Sequence, residues 1–311
     1  MSNRNKVRAT ISLIVLLINT TLVAQSEANF HNVKTDHIEV SDLNRSYSYY
    51  IPKGVTQNPK LVFVLHGSGM DTKTMIQATG FEFNRVADSL KNMIIVYPQG
   101  YEKAWNDCRK SVSDKAHTLH LNEMKFFKKI ISNIESKNKI KPSSMFVVGF
   151  SNGGQLVYKL AKENPGFFKG FSAIGATLPI ASNDNCVAKN RAVSILVANG
   201  TEDPVSPFNG GQETIDGVKK GEVIPTFNSI EYFKDLMACS KTIETKNELP
   251  GINVYKNYCN NSNKIVELVK INGGGHVIPN PHFSKWPKSL GKVNQDINLP
   301  KFILDFFESI K

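Results

Sequence analysis

Short runs of unbroken apolar residues alternate along this chain with longer stretches whose apolar positions recur every three or four residues. Leu61-Val62-Phe63-Val64-Leu65, Met93-Ile94-Ile95-Val96-Tyr97 and Met145-Phe146-Val147-Val148 read as strands covered on both faces, since a strand with one wet face would interleave polar residues. Residues 46–51 alternate in a strand-like way, and further strands are expected at 171–174, 193–198, 254–258 and 265–271. The helical period marks 74–90, 121–138, 230–237 and the closing 302–310. In the second of these, Met124, Phe127, Ile130, Ile131 and Ile134 line one face. Strands alternating with helices in this order predict an α/β fold, a mainly parallel sheet covered by helices on both faces.

The strand at 145–148 runs into Gly149-Phe150-Ser151-Asn152-Gly153, and a helical pattern begins at once with Gln155-Leu156-Val157-Tyr158. Strand, sharp turn and helix together hold a serine hydroxyl clear of the backbone as a nucleophile. Such a hydroxyl is a poor nucleophile near neutral pH and needs a neighbouring base, for which histidine has the matched pKa. In the α/β-hydrolase arrangement the serine comes first, an acid follows the end of a later strand, and the histidine comes last. His276 follows the strand at 265–271 through Gly273-Gly274-Gly275, a turn flexible enough to bring an imidazole back to Ser151; His282 is the alternative. The strand at 193–198 ends in Asn199-Gly200-Thr201-Glu202-Asp203-Pro204, making Asp203 the first candidate acid and Glu202 the second. The competing reading of Asp203 is a turn before proline. Charge developing on an attacked carbonyl oxygen needs fixed donors. These are expected from the main-chain N–H groups of Asn152 and of Ser68, the latter in the loop His66-Gly67-Ser68.

Composition places this chemistry outside the cell. Arg4, Lys6 and Arg8 precede an apolar stretch from Ile11 to Val23, with small residues Ala24, Ser26 and Ala28 beyond it. Residues 1–28 are therefore expected to be a signal peptide and 29–311 a single domain, secreted or periplasmic. Ser12, Asn19, Thr20 and Thr21 interrupt the apolar stretch, which argues for export rather than a stable membrane anchor. The net charge of +11 comes from scattered lysines without a nucleic-acid motif, and reads as a solvated basic surface with no nucleic-acid partner. Four cysteines, Cys108, Cys186, Cys239 and Cys259, favour disulfides in an exported chain, with three pairings open. A Cys239–Cys259 bridge would staple a segment rich in Lys, Thr and Asn and leave Cys108 with Cys186.

No cofactor is expected. Gly210-Gly211 and Gly273-Gly274-Gly275 match neither phosphate-loop nor dinucleotide spacing, and acyl transfer by a serine needs no cofactor. His117 and His120 could face one way on a helix, but no third ligand stands near them, so no metal is expected.

Several segments together resemble one family, the secreted esterases grouped with polyhydroxybutyrate depolymerases and feruloyl or acetylxylan esterases. They are Leu65-His66-Gly67, Tyr97-Pro98-Gln99-Gly100, Trp105-Asn106-Asp107-Cys108-Arg109, Gly149-Phe150-Ser151-Asn152-Gly153-Gly154, Gly200-Thr201-Glu202-Asp203-Pro204-Val205 and Gly273-Gly274-Gly275-His276. The resemblance covers nearly all of the chain beyond the signal. It implies an α/β-hydrolase fold, a Ser151, Asp203 and His276 triad, hydrolysis of carboxylic esters through an acyl-enzyme, and a Cys239–Cys259 disulfide. The chain departs from the pattern at Asn122-Glu123, where relatives often carry two aspartates, and at Val277-Ile278-Pro279, where Trp-Pro-Gly is common. His66, Trp105 and Trp286 are candidate pocket residues, with packing the alternative for the two tryptophans. Polyester depolymerases often add a polymer-binding domain, for which the residues after 310 leave no room, so small, oligomeric or polysaccharide-linked esters are the expected substrates. Two other readings share these residues: a serine peptidase on the same scaffold, and a non-catalytic binder of glycans or of a protein partner.

Overall fold

The computed structural model describes residues 32–238, 243–259 and 262–310; the signal expected at 1–28 and Cys239 lie outside them. Twelve strands are β1 (Lys34–Val40), β2 (Leu43–Tyr50), β3 (Lys60–Leu65), β4 (Met93–Pro98), β5 (Ser144–Phe150), β6 (Gly170–Ile174), β7 (Ile195–Gly200), β8 (Gly211–Ile215), β9 (Val218–Val223), β10 (Ile243–Leu249), β11 (Ile252–Cys259) and β12 (Ser262–Ile271). The helices are α1 (Thr72–Ala78), α2 (Glu82–Leu90), α3 (Lys115–Thr118), α4 (Glu123–Asn138), α5 (Asn152–Glu163), α6 (Thr226–Leu236) and α7 (Leu299–Ser309). Among these residues no helix is long and apolar enough to cross a membrane.

Ten strands form one sheet in the order β1-β2-β4-β3-β5-β6-β7-β12-β11-β10. From β4 to β12 every pairing is parallel, while β1-β2-β4 and β12-β11-β10 are antiparallel flanks. The continuous apolar runs occupy this parallel centre for the expected reason. In β3, Leu61, Phe63 and Leu65 enter one core, with Phe127 of α4, Leu156 of α5 and Phe233 of α6, whereas Val62 and Val64 enter the other, with Met75 of α1, Phe83 of α2 and Phe307 of α7.

The flanks are built by local turn chemistry. Ser41 and Asp42 between β1 and β2 both have positive φ, as do Asp216 and Gly217 between β8 and β9, and two such residues turn a hairpin in the sense of the sheet's twist. The β8–β9 hairpin, a separate two-stranded sheet, was not expected from the sequence.

The helix expected over 74–90 is two helices. Gly80 and Phe81 have φ of 58° and 62°, and Asn280 Nδ2 donates to the Thr79 carbonyl at 2.7 Å. The break is closed locally, with the Gly80 amide donating to the Gln77 carbonyl at 2.8 Å and the Phe81 amide to the Ile76 carbonyl at 3.1 Å, and Asn280 takes up the Thr79 carbonyl left over. At the far end of the chain, Asn298 caps α7 by accepting from the Lys301 amide at 3.1 Å, and Phe307 lies on Phe146 of β5 with ring centroids 4.8 Å apart. Both rings are fully buried. Phe307→Ala is expected to lower the unfolding free energy by about 3–5 kcal/mol, read as a shift of the urea midpoint at unchanged slope.

Candidate active site

The turn between β5 and α5 is sterically forced. Ser151 has φ 55° and ψ −119°, a conformation side chains rarely adopt, and its N–H donates to the Ile174 carbonyl of neighbouring β6 at 2.8 Å. A Cβ on Gly149 would lie 2.2 Å from the Gly153 carbonyl oxygen, and one on Gly153 would lie 2.7 Å from the carbonyl oxygens of Leu65 and His66. Both glycines are therefore required by close approach of backbone to backbone.

The acid and the histidine leave the ends of adjacent strands, since Ile271 of β12 pairs with Gly200 of β7. Asp203 is buried, and its Oδ1 accepts from the amides of Val205 at 2.7 Å and Ser206 at 2.8 Å. Its Oδ2 lies 2.7 Å from His276 Nδ1, and His276 Nε2 lies 2.9 Å from Ser151 Oγ. With Nδ1–H donating to the carboxylate, Nε2 is left as the acceptor facing the serine hydroxyl. His276 is held from behind by its own amide, which donates to the Leu290 carbonyl at 2.6 Å, and it lies against Phe150 at 4.9 Å between centroids. Glu202, the second candidate acid, instead gives its amide to the Gly274 carbonyl at 3.0 Å, and His282 is exposed.

A cleft of about 650 Å³ opens in front of Ser151, lined by residues that include Gly67, Ser68, Phe81, Phe150, Phe283 and Trp286. Trp286 packs edge-on against Phe150 with centroids 5.3 Å apart, and its indole nitrogen is buried without a partner among the described residues. The other two residues expected at the pocket are turned away from it. Trp105 is fully buried in the core beside Phe127 and donates from Nε1 to the His66 carbonyl at 2.9 Å. The His66 imidazole donates from Nδ1 to the Gly67 carbonyl at 2.8 Å and accepts at Nε2 from the Gly100 amide at 2.9 Å. Both residues brace the loop that presents Ser68; the expectation rested on the place of His66 in His66-Gly67-Ser68 and on Trp105 as a candidate aromatic wall.

Behind the serine turn lies a buried ion cluster, reached through Trp105-Asn106-Asp107-Cys108-Arg109. The Asn152 side chain accepts from the Trp105 amide at 2.8 Å and donates to Asp107 Oδ2 at 2.7 Å. Arg109 contacts Asp107 at 2.5 Å and Glu213 of β8 at 2.7 Å. Against the penalty of burial, Arg109 and His117 hold the Asp107 carboxyl well below its ordinary range. Against its burial, His117, 3.3 Å from Asp107 and 3.2 Å from Asp114, is in turn pushed up to about 9 by these two carboxylates, and His120 stands beyond the end of α3 with φ 48°, so the two histidines do not share a helix face. Cys108, between Asp107 and Arg109, is bridged to Cys186 with Cα atoms 5.1 Å apart. Closing that 78-residue separation is worth about 4–5 kcal/mol by chain entropy. The expected Cys239–Cys259 pairing falls outside the described residues. Another buried pair, Arg45 with Glu123 at 3.1 Å, accounts for the acidic residue that opens α4.

A parallel sheet flanked by helices, with a serine turn between its central strand and the following helix, defines the class of the α/β-hydrolases. The family model described as Phospholipase/Carboxylesterase matches residues 49–221, and the chain belongs to that family, an enzyme of the carboxylic-ester hydrolase group. It is 23% identical over 287 residues to a Nocardia uniformis subsp. tsuyamanensis protein described as an esterase, NocK, covering 86% of this chain and 80% of that one. It is 25% identical over 177 residues to feruloyl esterase C of Emericella nidulans, covering 55% and 60%, and 25% identical over 247 residues to poly(3-hydroxyalkanoate) depolymerase C of Paucimonas lemoignei, covering 74% and 58%. Among solved structures, the acetyl xylan esterase from Aspergillus awamori shares the fold with a TM-score of 0.52 at 12% identity, covering 79% of this chain and 95% of that one. These relatives fall within the family that the motifs resemble.

Burial holds the His66 pKa down at about 4, so this imidazole is neutral at pH 7. A histidine depressed in the folded state contributes stability that is complete above its unfolded pKa near 6.5 and is lost as pH falls toward the folded value. The loss amounts to about 2 kcal/mol by pH 5 on a shift of this size. His66→Asn is therefore expected to flatten the decline of the urea midpoint between pH 6.5 and 4.5, and parallel curves for the two proteins would contradict this.

Proposed function

We propose that this chain is an exported serine carboxylesterase, with residues 29–311 as one catalytic domain and Ser151, His276 and Asp203 as its catalytic residues. The observation that carries the reading is the single imidazole spanning a 2.7 Å contact to a carboxylate and a 2.9 Å contact to a serine hydroxyl. His276 Nε2 takes the Ser151 proton as Oγ attacks the ester carbonyl carbon, and Asp203 stabilises the imidazolium that forms. The tetrahedral oxyanion is met by the main-chain N–H groups of Ser68 and Asn152, neither of which donates elsewhere among the described residues. The imidazolium then protonates the leaving alcohol as the C–O bond breaks, leaving an acyl-Ser151. Water, deprotonated by the same imidazole, attacks the acyl carbon; as the C–Oγ bond breaks, the imidazolium returns its proton to Ser151 Oγ and the acid is released. No cofactor enters these steps. The continuous ten-stranded sheet supports the one-domain reading, and the amino-terminal pattern of basic and apolar residues supports export to the periplasm or medium.

The wall of Phe81, Phe150, Phe283 and Trp286 favours apolar or aromatic substrate groups, and the cleft's volume suits a small or oligomeric ester. Butyryl, hydroxyalkanoate-oligomer and feruloyl esters, the last two in keeping with what the relatives' names state of them, fit this lining better than acetyl esters. The reading is tested by wild type and Ser151→Ala on acetyl, butyryl, 3-hydroxybutyryl and feruloyl esters. Wild type is expected to show its highest kcat/KM on one of the larger acyl groups, and Ser151→Ala to lose at least about 10³-fold in kcat on every ester. Retention of rate by Ser151→Ala would overturn the assignment, and an acetyl preference would overturn the substrate class.

A further inference from the structure

The ion cluster behind the serine turn has a second end that the proton relay does not use. Glu213 is buried in β8 and both its carboxylate oxygens are engaged. Oε2 accepts from Arg109 Nη1 at 2.7 Å, and Oε1 accepts from Ser206 Oγ at 2.7 Å and Gln155 Nε2 at 3.2 Å. These partners belong to the segments whose spacing the reaction depends on. Ser206 gives its amide to Asp203 Oδ1 at 2.8 Å, Gln155 is one turn along α5 from Ser151, and Arg109 holds Asp107, the anchor of the Asn152 side chain.

We infer that Glu213 is a positioning residue that fixes the acid loop against the nucleophile turn, an inference that rests on the triad assignment above. Residues 201–210, which carry Asp203, contain no helix or strand; backbone hydrogen bonds tie them to β8, to the segments that follow β12 and to the start of α6, while the Glu213 contacts join them to α5 and the nucleophile turn through side chains. Within the charge cluster Asp107 and Glu213 face Arg109 and the His117 cation. Hydrogen bonds to an ionised carboxylate in a buried setting are short and directional, which makes this anion a stiff link. Displacing a catalytic group by about 1 Å costs on the order of 10²-fold in rate. Glutamine at 213 keeps the shape, but it removes the charge that Arg109 and Ser206 address.

The test compares wild type, Glu213→Gln, Ser206→Ala and the double variant on p-nitrophenyl butyrate, with reactive serines counted by fluorophosphonate titration. Glu213→Gln is expected to lower kcat per titrated serine by about 10- to 100-fold, and Ser206→Ala by about 3- to 10-fold, with KM within about threefold of wild type. The double variant should be no slower than Glu213→Gln alone, because both substitutions cut one link. Ser206→Ala removes a single hydroxyl and keeps the amide on Asp203, so it decides the matter if Glu213→Gln does not fold. A lower melting temperature with wild-type kcat per titrated serine would make Glu213 merely structural and overturn the inference. Ser151→Ala is run alongside: if it still turns over, the triad reading fails and this inference with it. If it is inactive while the Glu213 and Ser206 variants match wild type, positioning alone fails.

Discussion

One imidazole held at both nitrogens is the constraint around which the rest of this molecule is arranged. His276 meets Asp203 on one side and Ser151 on the other, and neither contact survives unless three separate loops end within a few tenths of an ångström of their places. The parallel sheet supplies the coarse placement, because β5, β7 and β12 lie close in strand order and all point their carboxyl ends toward one edge. Fine placement comes from contacts that no strand ladder provides. Backbone-to-backbone approach at Gly149 and Gly153 shapes the serine turn, two amides orient Asp203, and the Leu290 carbonyl holds His276 from behind.

The site is asymmetric in polarity. In front of Ser151 is an apolar aromatic cleft, and behind it is a buried cluster of paired charges. Paired charges of this kind contribute little net stability, since desolvation offsets much of their attraction, but they tolerate few alternative arrangements. In the positioning inferred for Glu213, uniqueness of geometry rather than stability is what the cluster gives the site. The Cys108–Cys186 bridge restrains the same segment from outside the cluster.

Much of this was legible in the sequence because it is encoded locally. Unbroken apolar runs require two covered faces, so the central strands could be read from β3, β4 and β5 without any partner. The serine turn was legible because only glycine fits at 149 and 153, and the order of serine, acid and histidine then selected Asp203 and His276. What stayed hidden depends on contacts far apart in the chain. The break between α1 and α2 had a local sign in Gly80, which the helical period of 74–90 passed over, whereas the Asn280 side chain that meets the Thr79 carbonyl comes from two hundred residues away and could not be read. Glu213 lies in a hairpin whose Asp216-Gly217 turn is a recognisable local signal, yet its role emerges only when Arg109, Gln155 and Ser206 converge on it. His66 was placed at the pocket by its place in the Ser68 loop and Trp105 as a candidate aromatic wall, and sequence does not say which way a side chain turns.

A crystal structure of the adduct formed with a butyl fluorophosphonate would test the account most directly. The account requires phosphorus bonded to Ser151 Oγ, His276 still within hydrogen-bond reach of that oxygen, and the phosphoryl oxygen about 3 Å from the amides of both Ser68 and Asn152. A probe bonded elsewhere, or a phosphoryl oxygen facing neither amide, would contradict it.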